Sequence, residues 1–182
     1  ADIPVTREGV VACPGVTGGV LWSSPAYHPG EKILLTSSID YCSRFRAAGD
    51  VRFIPGQLYM GGDARHEGDM SGWITAVDVE SGETRWKHQT EFPNVAAVTT
   101  TAGGLAISGT LAGDLLFFDV ATGAVLNSIA TGAQIGGGNI SYSVEGKQHI
   151  AVGSGLGMLT IRPPQLGLPR QSSIIVYALP SN

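Results

Sequence analysis

The pattern of apolar and polar positions is clearest between Trp73 and Trp86. It predicts a strand, a tight turn at Ser81-Gly82, and a second strand that ends on Trp86. Glycine permits the positive φ that such a turn needs, and the serine side chain hydrogen-bonds locally. Apolar side chains on both faces predict that the first strand is covered on both sides. These side chains belong to Ile74, Ala76, Val77 and Val79.

The same pattern returns 41 residues later. The matched pairs are Asp78 with Asp119, Ser81 with Thr122, Gly82 with Gly123, and Trp86 with Asn127. A second segment, Gly104–Gly109, is echoed 45 residues later by His149–Ser154. A period of about 40–45 residues is typical of the four-stranded blades of a β-propeller. Helical repeats of similar length are disfavoured, because no long apolar run has 3.6-residue spacing.

Further strands are predicted on either side of the repeats. Lys32–Ile39 is a strand, Val20–Trp22 begins another, and Ser173–Leu179 forms the last. The remaining predictions are an irregular segment at 1–20, a polar loop at 43–57, a short strand at 57–60, a long loop at 61–71, and a loop marked by Pro163, Pro164 and Pro169. The strands amount to roughly three to four blades.

An incomplete ring has a consequence for domain organisation. Propellers typically have about four to eight blades, and a partial ring leaves open strand edges that soluble proteins avoid. We therefore predict that residues 1–182 form part of a single propeller domain. Another polypeptide, or the other product of a cleavage, completes that domain.

Composition narrows the range of partners. Charged residues make up only 14% of the chain, which indicates that much of its surface faces other protein. The net charge of -4 and the lack of a basic run argue against nucleic-acid binding. No run of about 18 apolar residues is present, so no membrane span is predicted. The start at Ala1 lacks the charged and apolar regions of a signal peptide, which leaves a mature, processed or internally cleaved N-terminus as alternatives.

Few residues have the spacing of a chemical site. The two cysteines, Cys13 and Cys42, are too few for a closed zinc site and are either two buried thiols or one disulfide. None of the four histidines has metal-ligand spacing. Asp78 and Asp119 are interpreted as residues that hold the turns following them. Trp22 lies outside the repeats and either lines a site for a planar ligand or packs in the core.

Other acidic residues leave two interpretations open. Asp63, Glu67 and Asp69 share one predicted loop, where they either bind a cation or are simply solvated. Their spacing differs from that of an EF-hand. Asp40 stays a candidate because it follows a predicted strand end, where a site is often located.

Several segments resemble the C-terminal part of pyrroloquinoline quinone (PQQ)-dependent alcohol dehydrogenases. They are Cys13–Tyr27, Trp73–Trp86, Thr100–Gly109 and Ile140–Gly155. The Cys-Pro-Gly stretch at 13–15 and the Gly-Lys-Gln-His-Ile-Ala-Val stretch at 146–152 are fairly specific, whereas other propellers share the turn pattern. The resemblance covers nearly the whole chain.

The resemblance implies an all-β fold in which this chain supplies the last three to four blades of an eight-bladed propeller. It implies a periplasmic enzyme that oxidises alcohols, with aldehydes as further substrates, by hydride transfer to PQQ. A calcium or lanthanide ion accompanies the quinone, and electrons pass to cytochrome c or another acceptor. In this family the catalytic Asp and the metal ligands lie earlier in the sequence. No catalytic base or metal ligand is therefore assigned within this chain.

The resemblance also implies roles for individual residues. A disulfide is expected between Cys13 and Cys42, close to the cofactor, and the periplasm permits it. Trp22, Leu21, Asn94 and Val95 are the candidate residues on the cofactor side. The alternative function is a non-enzymatic β-propeller scaffold of the cell envelope, which the absence of the catalytic residues from this chain keeps open.

Overall fold

The computed structural model describes residues 3–23, 25–50, 52–57, 59–155 and 171–178. Within these ranges the chain is all-β, and none of the residues is in an α-helix. The strands are β1 (Val10–Ala12), β2 (Ala26–His28), β3 (Ile33–Ala47), β4 (Gly62–Asp78), β5 (Thr84–Thr90), β6 (Val98–Thr100), β7 (Leu105–Gly109), β8 (Asp114–Asp119), β9 (Val125–Ala130), β10 (Asn139–Val144), β11 (Lys147–Ser154) and β12 (Ser173–Ala178).

The strands form three antiparallel sheets in chain order. The first sheet has the order β1-β3-β4-β5, with β2 also paired to β3. The second has the order β6-β7-β8-β9, and the third has the order β10-β11-β12. Successive up-and-down sheets of this kind are the blades of a propeller. The structure therefore confirms the all-β prediction and contains three blades in its described part.

Each sheet packs face to face on the next. Between the first and second sheets lies a core that includes Ile33, Leu35 and Phe118, each with no exposed surface. A second core, around Ile107 and Ile135, separates the second sheet from the third. Alternating side chains of the second sheet supply both cores, because neighbouring residues of a strand point to opposite faces.

The repeated turns form as predicted. The Asp78 carboxylate accepts hydrogen bonds from the backbone N–H groups of Glu80 and Ser81, both at 2.9 Å. Asp119 accepts from the Thr122 N–H at 2.8 Å in the next sheet. The glycines that follow have φ angles of 75° at Gly82 and 74° at Gly123. The same local chemistry thus produces the same turn twice.

The second repeated segment, His149–Ser154 after Gly104–Gly109, identifies the correct strand but not its register. Val98 pairs with Ser108 in the second sheet, whereas Asn139 pairs with Val152 in the third. The equivalent positions on β7 and β11 are therefore 44 residues apart, not 45. Since side chains alternate between faces, this shift of one residue decides which of them point toward the neighbouring sheet.

The largest difference from prediction lies between residues 43 and 71. The loops predicted at 43–57 and 61–71 are wrong for residues 43–47 and 62–71, because β3 and β4 form one long hairpin that pairs as far as Ala47 and Gly62. The described residues between 48 and 57 lie outside any strand, as predicted. The predicted short strand at 57–60 is also absent from the described residues of that segment. Polar residues are compatible with this extension, since Arg44 forms a cross-strand ion pair with Glu67 at 2.6 Å.

Smaller corrections concern element ends. Strand β1 lies within the segment predicted to be irregular, and no strand includes Val20–Trp22. Strand β5 continues past Trp86 to Thr90, while Val79 lies beyond β4 and is 47% exposed. The last predicted strand is confirmed over Ser173–Ala178. Leu179 and the loop predicted around Pro163, Pro164 and Pro169 fall outside the described residues.

Candidate functional site

A disulfide fastens the N-terminal loop to β3. Cys13 and Cys42 are bonded, with their Cα atoms 4.4 Å apart, as the family resemblance implied. The loop backbone then runs directly along the strand, because the Gly15 N–H donates to the Tyr41 carbonyl at 2.8 Å. A Cβ atom at Gly15 would lie 2.6 Å from both the Ser43 Oγ and the Tyr41 ring. Only glycine permits this close approach.

Side-chain hydrogen bonds extend the same attachment. The Thr17 hydroxyl and the Tyr41 hydroxyl are 2.7 Å apart, and the Val16 N–H donates to the Ser43 Oγ at 3.0 Å. Farther along, the Ile39 N–H donates to the Gly19 carbonyl at 2.7 Å. The segment that leads to the predicted cofactor-side residues is therefore held in place by covalent and polar contacts.

The structure brings the predicted residues together from separate parts of the chain. Leu21 packs against a cluster of buried residues that includes Val95, which is 2% exposed. The Ser23 hydroxyl donates a hydrogen bond to the Val95 carbonyl, so the two segments are joined. Between Leu21 and Ser23, Trp22 is 79% exposed. Within this chain Trp22 is therefore not buried in a core, and its ring is exposed.

Asn94 has an unusual environment. Its side chain is 1% exposed, and its Oδ1 accepts a hydrogen bond from the Ala96 N–H at 3.1 Å. The Nδ2 group has no hydrogen-bond partner within the described part of the protein. A buried donor without a partner is costly by about 1–3 kcal/mol, which makes such a group notable.

The segment carrying Asn94 is positioned by the repeat itself. At the end of β5 the Thr90 hydroxyl donates to the Phe92 carbonyl at 2.7 Å and so turns the chain. The equivalent Thr131 makes the same contact with Ala133 at 2.9 Å. Each turn leads into the first strand of the following sheet.

These first strands lie side by side. The Thr100 hydroxyl donates to the Tyr27 carbonyl at 3.2 Å, which links β6 to β2. The Thr99 hydroxyl donates to the Asn139 carbonyl at 2.7 Å, and the Asn139 Nδ2 donates to the Ala97 carbonyl at 2.8 Å. Strands β2, β6 and β10 therefore form the inner edge of the arc, where a propeller has its central channel.

Three of the four acidic residues with open interpretations, Asp40, Asp63 and Glu67, have side-chain partners, whereas Asp69 has no such partner among the described residues. Arg44 donates to both carboxylate oxygens of Glu67, at 2.6 and 3.0 Å, and these bonds hold the pKa of Glu67 below its ordinary value. Asp63 accepts from the Arg65 Nε at 2.9 Å. Asp40 accepts from the Trp73 indole N–H at 2.8 Å. No group of three or more metal-ligating side chains is present in the described residues.

Some contributing residues were not predicted from the sequence. Tyr41 and Ser43 anchor the loop, and Ser23 joins it to Val95. Their hydroxyl groups give no sequence signal, since serine and tyrosine occur throughout strands and loops. The Cys-Pro-Gly stretch at 13–15 was the only indication that the neighbouring loop is structured.

The chain is similar in sequence to known dehydrogenases, although no family profile matches it. It is 30% identical over 162 residues to the lanthanide-dependent methanol dehydrogenase of Methylacidiphilum fumariolicum (strain SolV), covering 84% of this chain and 26% of that protein. It is 28% identical over 172 residues to the quinoprotein ethanol dehydrogenase of Pseudomonas aeruginosa, covering 85% of this chain and 27% of that protein.

Solved structures show the same fold. A europium-containing methanol dehydrogenase superposes with a TM-score of 0.81 at 23% identity, covering 96% of this chain and 36% of that structure. The chain thus spans about a quarter of the length of the curated relatives that it matches. No helix in the described part of the chain is long and apolar enough to cross a membrane.

Proposed function

We propose that this chain, which belongs to the quinoprotein alcohol dehydrogenases and corresponds to about a quarter of their length, supplies the last blades of an eight-bladed propeller that oxidises alcohols. The remaining blades come from another polypeptide or from another part of the same one. The observation that carries the proposal is the convergence of Leu21, Trp22, Asn94 and Val95 beside the disulfide-anchored loop. In this proposal that cluster faces the cofactor.

The side chains of this cluster fit a flat quinone that carries oxygen atoms. The Trp22 indole is exposed and offers a ring face for stacking. The Asn94 amide contributes a buried N–H donor whose partner the described residues do not supply. Leu21 and Val95 provide the apolar wall that ligand sites usually have.

The proposal divides the chemistry between this chain and the rest of the enzyme. When bound, PQQ accepts the hydride of the alcohol, while a calcium or lanthanide ion polarises the quinone carbonyl. Trp22 and Asn94 orient the cofactor and shield it from water. The catalytic base and the metal ligands lie outside this chain.

The same proposal includes the surroundings of the enzyme. A small alcohol is the substrate, aldehydes are further substrates, and cytochrome c or another acceptor receives the electrons. The periplasm is the proposed compartment, and the Cys13–Cys42 disulfide supports this, because disulfides persist in oxidising compartments.

The first test uses the native protein. Intact mass is measured on the purified sample, and quinone absorbance is measured after denaturation. The proposal expects additional propeller sequence, in the same or a second polypeptide, together with released quinone. A single species of this chain's mass that takes up no PQQ in the presence of calcium would contradict it. The non-enzymatic scaffold would then be the better explanation.

A variant tests the assigned residues. Trp22→Ala is expected to weaken PQQ binding about tenfold, which corresponds to the ~1.4 kcal/mol at the upper end for aromatic stacking. Phe53→Ala is the matched control, because Phe53 is 75% exposed and lies outside the cluster. Circular dichroism of both variants checks that the fold is retained. Equal PQQ affinity in the two variants would remove Trp22 from the site.

A further inference from the structure

A cavity opens between the second and third sheets near their outer strands. It has a volume of about 350 Å³. Its apolar lining includes Leu105, Phe117, Leu126, Ile129, Ile150 and Tyr177. Two amides, Asn127 and Gln148, also reach it. A mostly apolar cavity of 300–1,000 Å³ with a few polar groups has the usual character of a small-molecule site.

The equivalent gap between the first and second sheets is filled. The Trp86 indole stacks on the Phe118 ring, with centroids 5.8 Å apart and an interplanar angle of 24°. Its N–H donates to the Val120 carbonyl at 3.0 Å. The indole also lies directly over Gly123, where a Cβ atom would approach the ring to 2.5 Å. An indole from one sheet therefore occupies a pocket on the next.

Strand register shows that Asn127 holds the position of Trp86. Trp86 pairs with Ala76, and a register shift follows between Ala76 and Val77. Asn127 pairs with Phe117, and the same shift follows between Phe117 and Phe118. The second sheet thus repeats the first residue for residue here, but it lacks the indole.

Register also shows that Tyr177 holds the position of Phe118. Ser108 and Val152 are equivalent, since each pairs with the start of the first strand of its sheet. Two residues earlier on these strands, Ala106 pairs with Phe118 and Ile150 pairs with Tyr177. The aromatic ring that receives the indole is therefore retained in the third sheet.

We propose that this cavity binds a planar bicyclic aromatic molecule of indole size, which stacks on Tyr177 as Trp86 stacks on Phe118. The Phe117 ring, at the position of the smaller Ala76, takes up part of the vacated volume, yet about 350 Å³ remains. The Asn127 and Gln148 amides supply hydrogen-bonding groups for a heteroatom of the ligand. The site shares no residue with the cluster around Leu21, Trp22, Asn94 and Val95.

Calorimetric titration of the full chain with free indole tests the proposal. The expected result is saturable binding to one site. Cyclohexanol, which is not planar, should bind at least tenfold more weakly. Asn127→Trp should weaken indole binding at least tenfold and raise the melting temperature, because the new side chain fills the cavity. Tyr177→Ala should also weaken indole binding at least tenfold, since it removes the stacking ring.

Trp86→Ala provides an internal comparison. It opens the equivalent gap beside Phe118, so the number of indole sites should rise from one to two. Indole binding to Trp86→Ala but not to the wild type would overturn the proposal. Unchanged indole affinity in Asn127→Trp would do the same, because the ligand would then bind elsewhere. Should Trp86→Ala fail to fold, the wild type, Asn127→Trp and Tyr177→Ala decide the question.

Discussion

The indole of Trp86 stacks on the ring of Phe118 and, through its N–H group, also donates to the carbonyl of Val120. Trp86 belongs to the outer strand β5, and its two partners belong to the second sheet or the turn that follows it. One side chain therefore joins two sheets by both aromatic contact and a hydrogen bond. The Phe118 ring also makes a T-shaped contact with the His88 ring, with centroids 5.0 Å apart.

Truncation of Trp86 is expected to destabilise the protein. Trp86→Ala should lower the free energy of unfolding by about 3 kcal/mol, at the low end for large aromatic side chains because Trp86 is only partly buried. Urea unfolding followed by circular dichroism measures the change. Asn127→Ala, at the equivalent exposed position, is the control and should change stability by less than about 0.5 kcal/mol. Similar losses in both variants would contradict the interpretation.

The turn after β4 should be more sensitive to charge removal than the turn after β8. Hydrogen bonds from the Ser81 N–H, from Arg85 and from the Glu80 N–H hold the pKa of Asp78 well below its usual range. The folded state therefore binds its proton less readily than the unfolded state. Asp78 contributes stability above its unfolded pKa of about 4, and this contribution is lost as the pH falls through its folded pKa.

Asp78→Asn tests this linkage. The variant should have a lower melting temperature than the wild type at pH 7, and the difference should shrink as the pH is lowered below about 4. Asp119→Asn is the matched control. Asp119 caps an equivalent turn through Thr122, and no arginine among the described residues contacts it, so its loss should have the smaller effect at pH 7. A pH-independent difference for Asp78→Asn would refute the electrostatic explanation.

His88 should make stability depend on pH at milder acidity. Burial against the second sheet lowers the pKa of His88 below its ordinary value of about 6.5. The unfolded chain therefore takes up the proton first as the pH falls. The contribution of neutral His88 to the free energy of unfolding is fully present above pH ~6.5. It is lost as the pH falls through the folded pKa.

Denaturant unfolding of the wild type and of His88→Gln, between pH 8 and pH 5, measures the contribution of His88. The wild type should lose more stability over this range than the variant. The readout is the difference between the two proteins, so groups that titrate equally in both cancel. Parallel stability curves would show that the burial of His88 is not responsible.

The disulfide should stabilise both the chain and the loop that precedes Leu21. Cys13 and Cys42 are 29 residues apart, and a closed loop of this length lowers the unfolded-state entropy enough to stabilise by about 3–4 kcal/mol. The double variant Cys13→Ser with Cys42→Ser should lose about this amount in urea unfolding. A reducing agent should lower the stability of the wild type but not that of the variant. Equal sensitivity to the reductant would contradict this prediction.

Hydrogen exchange provides a local measurement for the same variant. The Gly15 N–H donates to the Tyr41 carbonyl and the Ile39 N–H donates to the Gly19 carbonyl. Both amides should exchange faster when the disulfide is absent. Amides of β7 and β8 serve as controls, because they lie in the second sheet, away from the loop.

The sequence alone determined the features that depend on neighbouring residues. The turns at Asp78 and Asp119 follow from an acidic side chain, a hydroxyl residue and a glycine at fixed spacing, since all their hydrogen bonds are local. The return of this pattern once, after 41 residues, predicted two sheets of one kind, and the resemblance carried by the Cys-Pro-Gly stretch identified the Cys13–Cys42 pair.

Only the tertiary structure decided the features that depend on distant residues. The polar residues around Arg44 and Glu67 read as loops, yet pairing between two long strands and a cross-strand ion pair make them a hairpin. The exposure of Trp22 and the orphaned amide of Asn94 depend on which surfaces meet, and local periodicity does not contain that information. Local periodicity also does not contain the 44-residue spacing between equivalent positions of β7 and β11, which brings Tyr177 into the same cavity as Asn127. That register is set by pairing and packing across the sheets.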